Sequence, residues 1–183
     1  MKPPTLLLAL CLTLFATAAI AALKLGDAAP DFTLQAAQGG KTFTFSLTAA
    51  LKKGPVVLYF YPKSFTRICT AEAHEFAENI ENFTAAGASV IGISGDDIAT
   101  QREFSSKECR DRFPVGADPD FSVIKAYDAA FNVPLAGAFF AKRISYVISP
   151  GGKIIHAYAD LGAEKHIENA LAAVRKWRDE HKS

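Results

Sequence analysis

Cysteine is scarce in this chain: Cys11, Cys69 and Cys109 are the only three among 183 residues. No two of them form a Cys-x-x-Cys pair, the motif that a thiol–disulfide exchanger normally needs. A surplus of charge of either sign is missing too. Twenty Lys and Arg stand against nineteen Asp and Glu, a formal net charge of +1, with no basic stripe along the chain. That balance speaks against a nucleic-acid partner. Repeats, low-complexity tracts and internal linkers are also absent. His156, His166 and His181 are scattered without metal-ligand spacing, and the acidic residues show no paired organisation, so neither a metal nor another cofactor is expected.

One long apolar run is present, and it lies at the start. Lys2 supplies a short basic region, Leu6 to Ile20 is apolar, and Ala18-Ala19-Ile20-Ala21-Ala22 offers small residues for cleavage. This pattern is that of a secretory signal over residues 1–22, too short for a membrane span of about 20 apolar residues. An uncleaved anchor is the alternative. Cys11 leaves with the signal, so a single domain over residues 23–183 keeps Cys69 and Cys109 in a compartment that permits disulfides. About 160 residues suffice for one domain with its own core. Two thiols there are compatible with a structural staple or with a working redox pair.

The most informative segment is Pro62-Lys63-Ser64-Phe65-Thr66-Arg67-Ile68-Cys69. It follows the apolar run Val56-Val57-Leu58-Tyr59-Phe60-Tyr61, which reads as a central strand covered on both faces. Pro62 stops that strand, and Thr66 stands where it can cap a helix. Cys69 then falls in the first helical turn. Unpaired backbone N–H groups and the helix dipole favour an anion there, and the thiolate is the reactive form of cysteine. Cys69, Ala73, Phe76, Ile80 and Phe83 share one helical face, which turns the thiol toward the protein body. A small buried hydrophobe is the competing reading of this cysteine.

The remaining pattern is coarse but ordered. Phe43, Phe45 and Leu47 alternate with polar residues after Gly39-Gly40, suggesting an early strand. The Cys69 helix ends at Gly87. Ser89 to Ser94 reads as a buried strand, and Asp96-Asp97 caps a helix running to about Arg110. Asp118-Pro119-Asp120 turns into a short helix near Phe121 to Tyr127. Ile144 to Ile148, Pro150-Gly151-Gly152 and Ile154 to Tyr158 form a hairpin pattern. Ile167, Leu171, Val174 and Trp177 mark the buried face of a last helix. Strands and helices in this order predict an α/β layered domain.

The chain resembles the peroxiredoxins at this point. Pro62-x-x-x-Thr66-x-x-Cys69 matches their active-site motif. Tyr59 to Cys69, with Thr70-Ala71-Glu72, looks like the Q-type branch, also called bacterioferritin-comigratory protein. Gly26-Asp27-x-Ala29-Pro30-Asp31-Phe32, Val90 to Ser94 and Asp118-Pro119 agree in order. Arg143, ahead of Ser145 to Ile148, matches the family's second active-site arginine.

The resemblance implies a thioredoxin-like fold: a central mixed sheet flanked by helices, with an N-terminal extension. It implies a peroxidase in which Cys69 attacks a hydroperoxide as thiolate. Thr66 would bond the thiolate and the peroxide, Pro62 would shield the site, and Arg143 would stabilise the anion and the leaving oxygen. Glu72 either takes part or only complements the helix dipole. Two departures stand out: Arg67-Ile68 replaces a common Pro-Gly, and His74 occupies the place where many relatives carry a resolving cysteine. Relatives that resolve from the later helix make Cys109 the counterpart. Its helical neighbours Ser105, Arg102 and Ile98 are mostly polar, so an accessible thiol is expected. The implied partners are a hydroperoxide and a thioredoxin-like dithiol reductant, on a monomer with no membrane contact after cleavage. A thiol–disulfide oxidoreductase and a disulfide-stapled binding domain are the alternatives.

Overall fold

The computed structural model describes residues 22–133 and 138–181. The signal-like segment therefore lies outside the described residues, apart from Ala22. Among those residues, no helix is long and apolar enough to cross a membrane.

Fourteen elements follow one another among the described residues. They are β1 (Thr33–Gln38), β2 (Lys41–Ser46), α1 (Leu47–Leu51), β3 (Val56–Phe60), α2 (Arg67–Ala85), β4 (Ser89–Ser94), α3 (Ile98–Lys107) and β5 (Val115–Ala117), followed by α4 (Ser122–Ala126), β6 (Ala130–Val133), β7 (Ala138–Ala141), β8 (Ile144–Ile148), β9 (Ile154–Ala159) and α5 (Glu164–Glu180). Seven strands form one mixed sheet in the order β2-β1-β5-β4-β3-β8-β9, while β6 and β7 make a separate ribbon. The central mixed sheet with helices on both faces is the thioredoxin-like arrangement.

Every residue of β3 is buried, as a strand covered on both sides must be. Its side chains alternate. Val57 and Tyr59, with Tyr61 just beyond the strand, join the core under α2 and α5. Val56, Leu58 and Phe60 join the opposite core, with Leu47 and Leu51 of α1 and Val123 and Ile124 of α4. β3 pairs in parallel with β4 and antiparallel with β8, so α2 begins just beyond the sheet's centre.

The local punctuation explains most boundaries. Gly87 takes a left-handed backbone (φ 82°) after α2, where a glycine carries no Cβ penalty. Asp97 caps α3 by accepting from the Thr100 N–H at 2.8 Å. The early strand expected from Phe43, Phe45 and Leu47 is β2, but it ends at Ser46: Leu47 opens α1, and Phe43 is 39% exposed. α3 also stops earlier than its pattern suggested, at Lys107. Arg110 and Asp111 turn left-handed (φ 52° and 61°), and the Asp111 N–H bonds the Ser105 carbonyl.

Candidate active site

Thr66 is the first non-helical residue before α2, in extended conformation. The preceding Phe65 holds a left-handed backbone (φ 63°), a costly conformation for a bulky residue, with its ring edge-on to Phe104 at 5.2 Å. This kink swings the chain from the end of β3 into the helix. Thr66 does not cap with its side chain, contrary to the sequence expectation. Its hydroxyl donates back to the Lys63 carbonyl at 3.0 Å and makes no bond to Cys69.

Cys69 is the third residue of α2 and only 2% exposed. Arg143, also buried, arrives from the segment just before β8. Its Nη2 donates to Cys69 Sγ at 3.3 Å, and its Nε donates to the Leu161 carbonyl at 3.1 Å. Nη1 is ion-paired with Glu72 Oε2. A guanidinium N–H is thus aimed at the sulfur in the first turn of a helix, a donor placed to face negative charge that develops there. Glu72 does not lie in the first turn of α2, so it does not serve the dipole there. It stands three residues after Cys69 on the same face, fully buried, and fixes the guanidinium. Burial pushes its carboxyl up to about 8, with Arg143 pulling the other way. Its second oxygen, Oε1, has no hydrogen-bond partner among the described residues.

Three supports escaped the sequence reading. Tyr61 Oη donates to Gln101 Oε1 at 2.8 Å, and Gln101 Nε2 donates to Ser94 Oγ at 2.7 Å and to the Gly116 carbonyl at 3.1 Å. The Ser64 N–H donates to Asp96 Oδ2 at 2.7 Å. This buried network ties the Pro62–Thr66 loop to β4 and α3. Behind Arg143, His166 is fully buried and lies 2.8 Å from Ser145 Oγ through Nδ1 and 3.2 Å from the Asp160 carbonyl through Nε2. Burial lowers its pKa to about 4. Gln101 and His166 are ordinary helix residues in sequence, and nothing local marks them.

Pro62 and Arg143 border a cavity of about 580 Å³ whose other walls include Phe131, Phe140, Ala159 and Leu161. A groove of about 640 Å³ along α5 and β9 contains none of the residues around the thiol.

Cys109 corrects the expectation of an accessible thiol. It is completely buried and unpaired, in the same core cluster as Cys69, Tyr59, Phe76 and Phe113. The helical-face argument fails because α3 ends two residues before it. The Cys109 N–H closes on the Phe104 carbonyl at 3.0 Å, and the left-handed turn that follows folds the side chain under. Burial, helped by Glu108, raises this thiol well above its ordinary range. His74 pairs with Glu108 at 2.8 Å, so position 74 neighbours the Cys109 segment. Arg110–Glu78 and Arg112–Glu81 extend that seam along α2. Among the described residues, no cluster of three or more potential metal ligands exists.

Fold and site together define a thioredoxin-fold thiol protein whose helix-terminal cysteine is held by an arginine from the segment between β7 and β8. The AhpC/TSA family profile matches residues 25–157, and the chain belongs to that family, in its peroxiredoxin Q/Bcp branch. Peroxiredoxin Bcp of Escherichia coli is 32% identical over 161 residues, covering 87% of this chain and 97% of the relative. A putative chloroplastic peroxiredoxin Q of Oryza sativa subsp. indica is 37% identical over 147 residues, covering 80% of this chain but only 64% of the relative. The chain thus spans just under two thirds of that plant protein. Among solved structures, peroxidoxin BcpB of Mycobacterium tuberculosis superposes with a TM-score of 0.76 at 29% identity, covering 87% of this chain and 99% of that one. A bacterioferritin comigratory protein of Xanthomonas campestris, described for its alkyl peroxide reduction, gives 0.69 at 27% identity, covering 79% and 92%.

Proposed function

We propose that this protein is a thiol peroxidase that reduces hydrogen peroxide and organic hydroperoxides through Cys69. The observation that carries this is Arg143 Nη2 set 3.3 Å from Cys69 Sγ at a helix N-terminus. The thiolate attacks one oxygen of the hydroperoxide, and the O–O bond breaks. Cys69 becomes a sulfenic acid, and the departing alkoxide or hydroxide takes up a proton to leave as alcohol or water. The guanidinium faces the negative charge as it moves from sulfur to the leaving oxygen, and such preorganised donors are the largest catalytic contribution in many enzymes. Glu72 orients that guanidinium. The apolar cavity beside Arg143 suits the carbon body of an organic hydroperoxide.

Cys109 is the resolving thiol in this reading. It shares a core cluster with Cys69, and its neighbour Glu108 touches the position where other members carry their second cysteine. Its thiol and the sulfenic acid condense to an internal disulfide and release water. Since a disulfide needs Cα atoms roughly 5.5–6 Å apart, the first turn of α2 unwinds toward Cys109. A thioredoxin-like dithiol then restores both thiols by exchange. The domain acts as a monomer, exported to a periplasm by the leading segment.

Treating reduced protein with one equivalent of peroxide and weighing it without reductant tests the scheme. An internal Cys69–Cys109 bridge is expected, and Cys69→Ser abolishes peroxide consumption. Consumption by Cys69→Ser at the wild-type rate, or a disulfide-linked dimer in place of the bridge, refutes it.

A further inference from the structure

Tyr59 carries a hydroxyl that the scheme above leaves unused. It sits on β3 with 1% of its surface exposed, its ring stacked on Phe76 at 4.4 Å and tilted against Tyr61 at 5.5 Å. The ring fills space kept open by Gly92, its register partner on β4: a Cβ there would lie 2.5 Å from the ring. Yet Oη has no hydrogen-bond partner among the described residues. A buried hydroxyl left unpaired costs about 1–3 kcal/mol, while phenylalanine would fill the same shape without that cost. Tyr61, two residues on, has its hydroxyl fully engaged with Gln101 and Ser64.

The surroundings name the missing partner. Tyr59 lies in the core cluster that holds both thiols, Cys69 and Cys109, with its ring 6.2 Å from that of Phe113 in the same cluster. Cys109 sits in apolar surroundings where its thiol stays protonated. To attack the Cys69 sulfenic acid it has to carry negative charge in the core, which is costly without a donor. β3 is an interior strand, paired on both sides with β4 and β8.

We propose that Tyr59 is a catalytic residue of the resolving step, its hydroxyl donating a hydrogen bond to the Cys109 sulfur as that sulfur gains charge. In that step the Cys109 S–H bond breaks and the S–S bond forms. The Cys69 S–O bond breaks as well, and the displaced hydroxide takes the proton and leaves as water. The phenol keeps its own proton throughout. The assignment rests on Cys109 being the resolving thiol.

Tyr59→Phe tests it, with sulfenic acid formation and disulfide formation timed separately after one equivalent of peroxide. A hydrogen bond to a charged group is worth about 1.5–3 kcal/mol, so the variant should resolve about 10- to 100-fold more slowly. It should form sulfenic acid as the wild type does, and be at least as stable to urea. Excess peroxide should therefore convert it to sulfinic acid at lower doses. Resolution at the wild-type rate overturns the role of Tyr59 while leaving Cys109 as resolver. Absence of a Cys69–Cys109 bridge in the wild type overturns both.

Discussion

Replacing Arg143 by methionine separates the chemistry of this site from its stability. The side chain is 5% exposed, with one nitrogen 3.3 Å from Cys69 Sγ and another on Glu72. At an effective dielectric of about 20, a full charge pair at that separation is worth at most about 5 kcal/mol, shared here between two anions. Losing one preorganised donor to a developing anion costs about 10²–10³ in rate. Arg143→Met should therefore consume peroxide about 10²- to 10³-fold more slowly in stopped flow. It should also unfold more easily above about pH 8, where Glu72 ionises and is left buried without its cation, a loss of about 3–5 kcal/mol there. Adding Glu72→Gln removes the stranded charge and should recover most of the stability in urea titrations. It should recover none of the rate. If Arg143→Met reacts with peroxide within threefold of the wild type, the guanidinium is structural and the proposed chemistry fails.

His166 sets an acid limit on stability. Its folded pKa of about 4 lies below the ordinary 6.5, so the folded state binds fewer protons. The contribution of about 3 kcal/mol is present above pH 6.5 and disappears as pH falls through 4; His166→Gln should flatten that limb in urea midpoints measured at pH 7 and 4. Glu72 works in the opposite direction: its pKa is raised to about 8, so its contribution is complete below about 4.5 and fades as pH rises through 8. Glu72→Gln should flatten the alkaline limb. At the cavity mouth Leu161 is 86% exposed, and Leu161→Glu should lower kcat/KM for cumene hydroperoxide about tenfold and leave hydrogen peroxide within twofold. Equal losses for both substrates would show that the cavity does not select.

Much of the fold was legible because its signals are local. The apolar run of β3, the Gly87 stop, the Asp97 cap and the Pro150-Gly151-Gly152 turn each lie within a few residues of what they specify. β5 was not, since three residues, Val115–Ala117, are a strand only through pairing with β1 and β4. The heart of the site was readable from Pro62 to Cys69, and Arg143 through family resemblance. Cys109 was misjudged because its exposure depends on where α3 stops, and that is set by the left-handed pair Arg110 and Asp111, neither of them glycine. The part played by Glu72 could be suspected but not settled, since its value depends on a partner 71 positions away.

That separation has a consequence for the chain before it is finished. Cys69, at the start of α2 just after β3, and its guanidinium, just before β8, come together only when β8 has docked against β3, once the chain has been made past Ile148. Until then no guanidinium faces the sulfur. In the proposed reaction its speed with peroxide would therefore report native population, and a denaturant titration followed by that reaction should trace the same midpoint as one followed by circular dichroism.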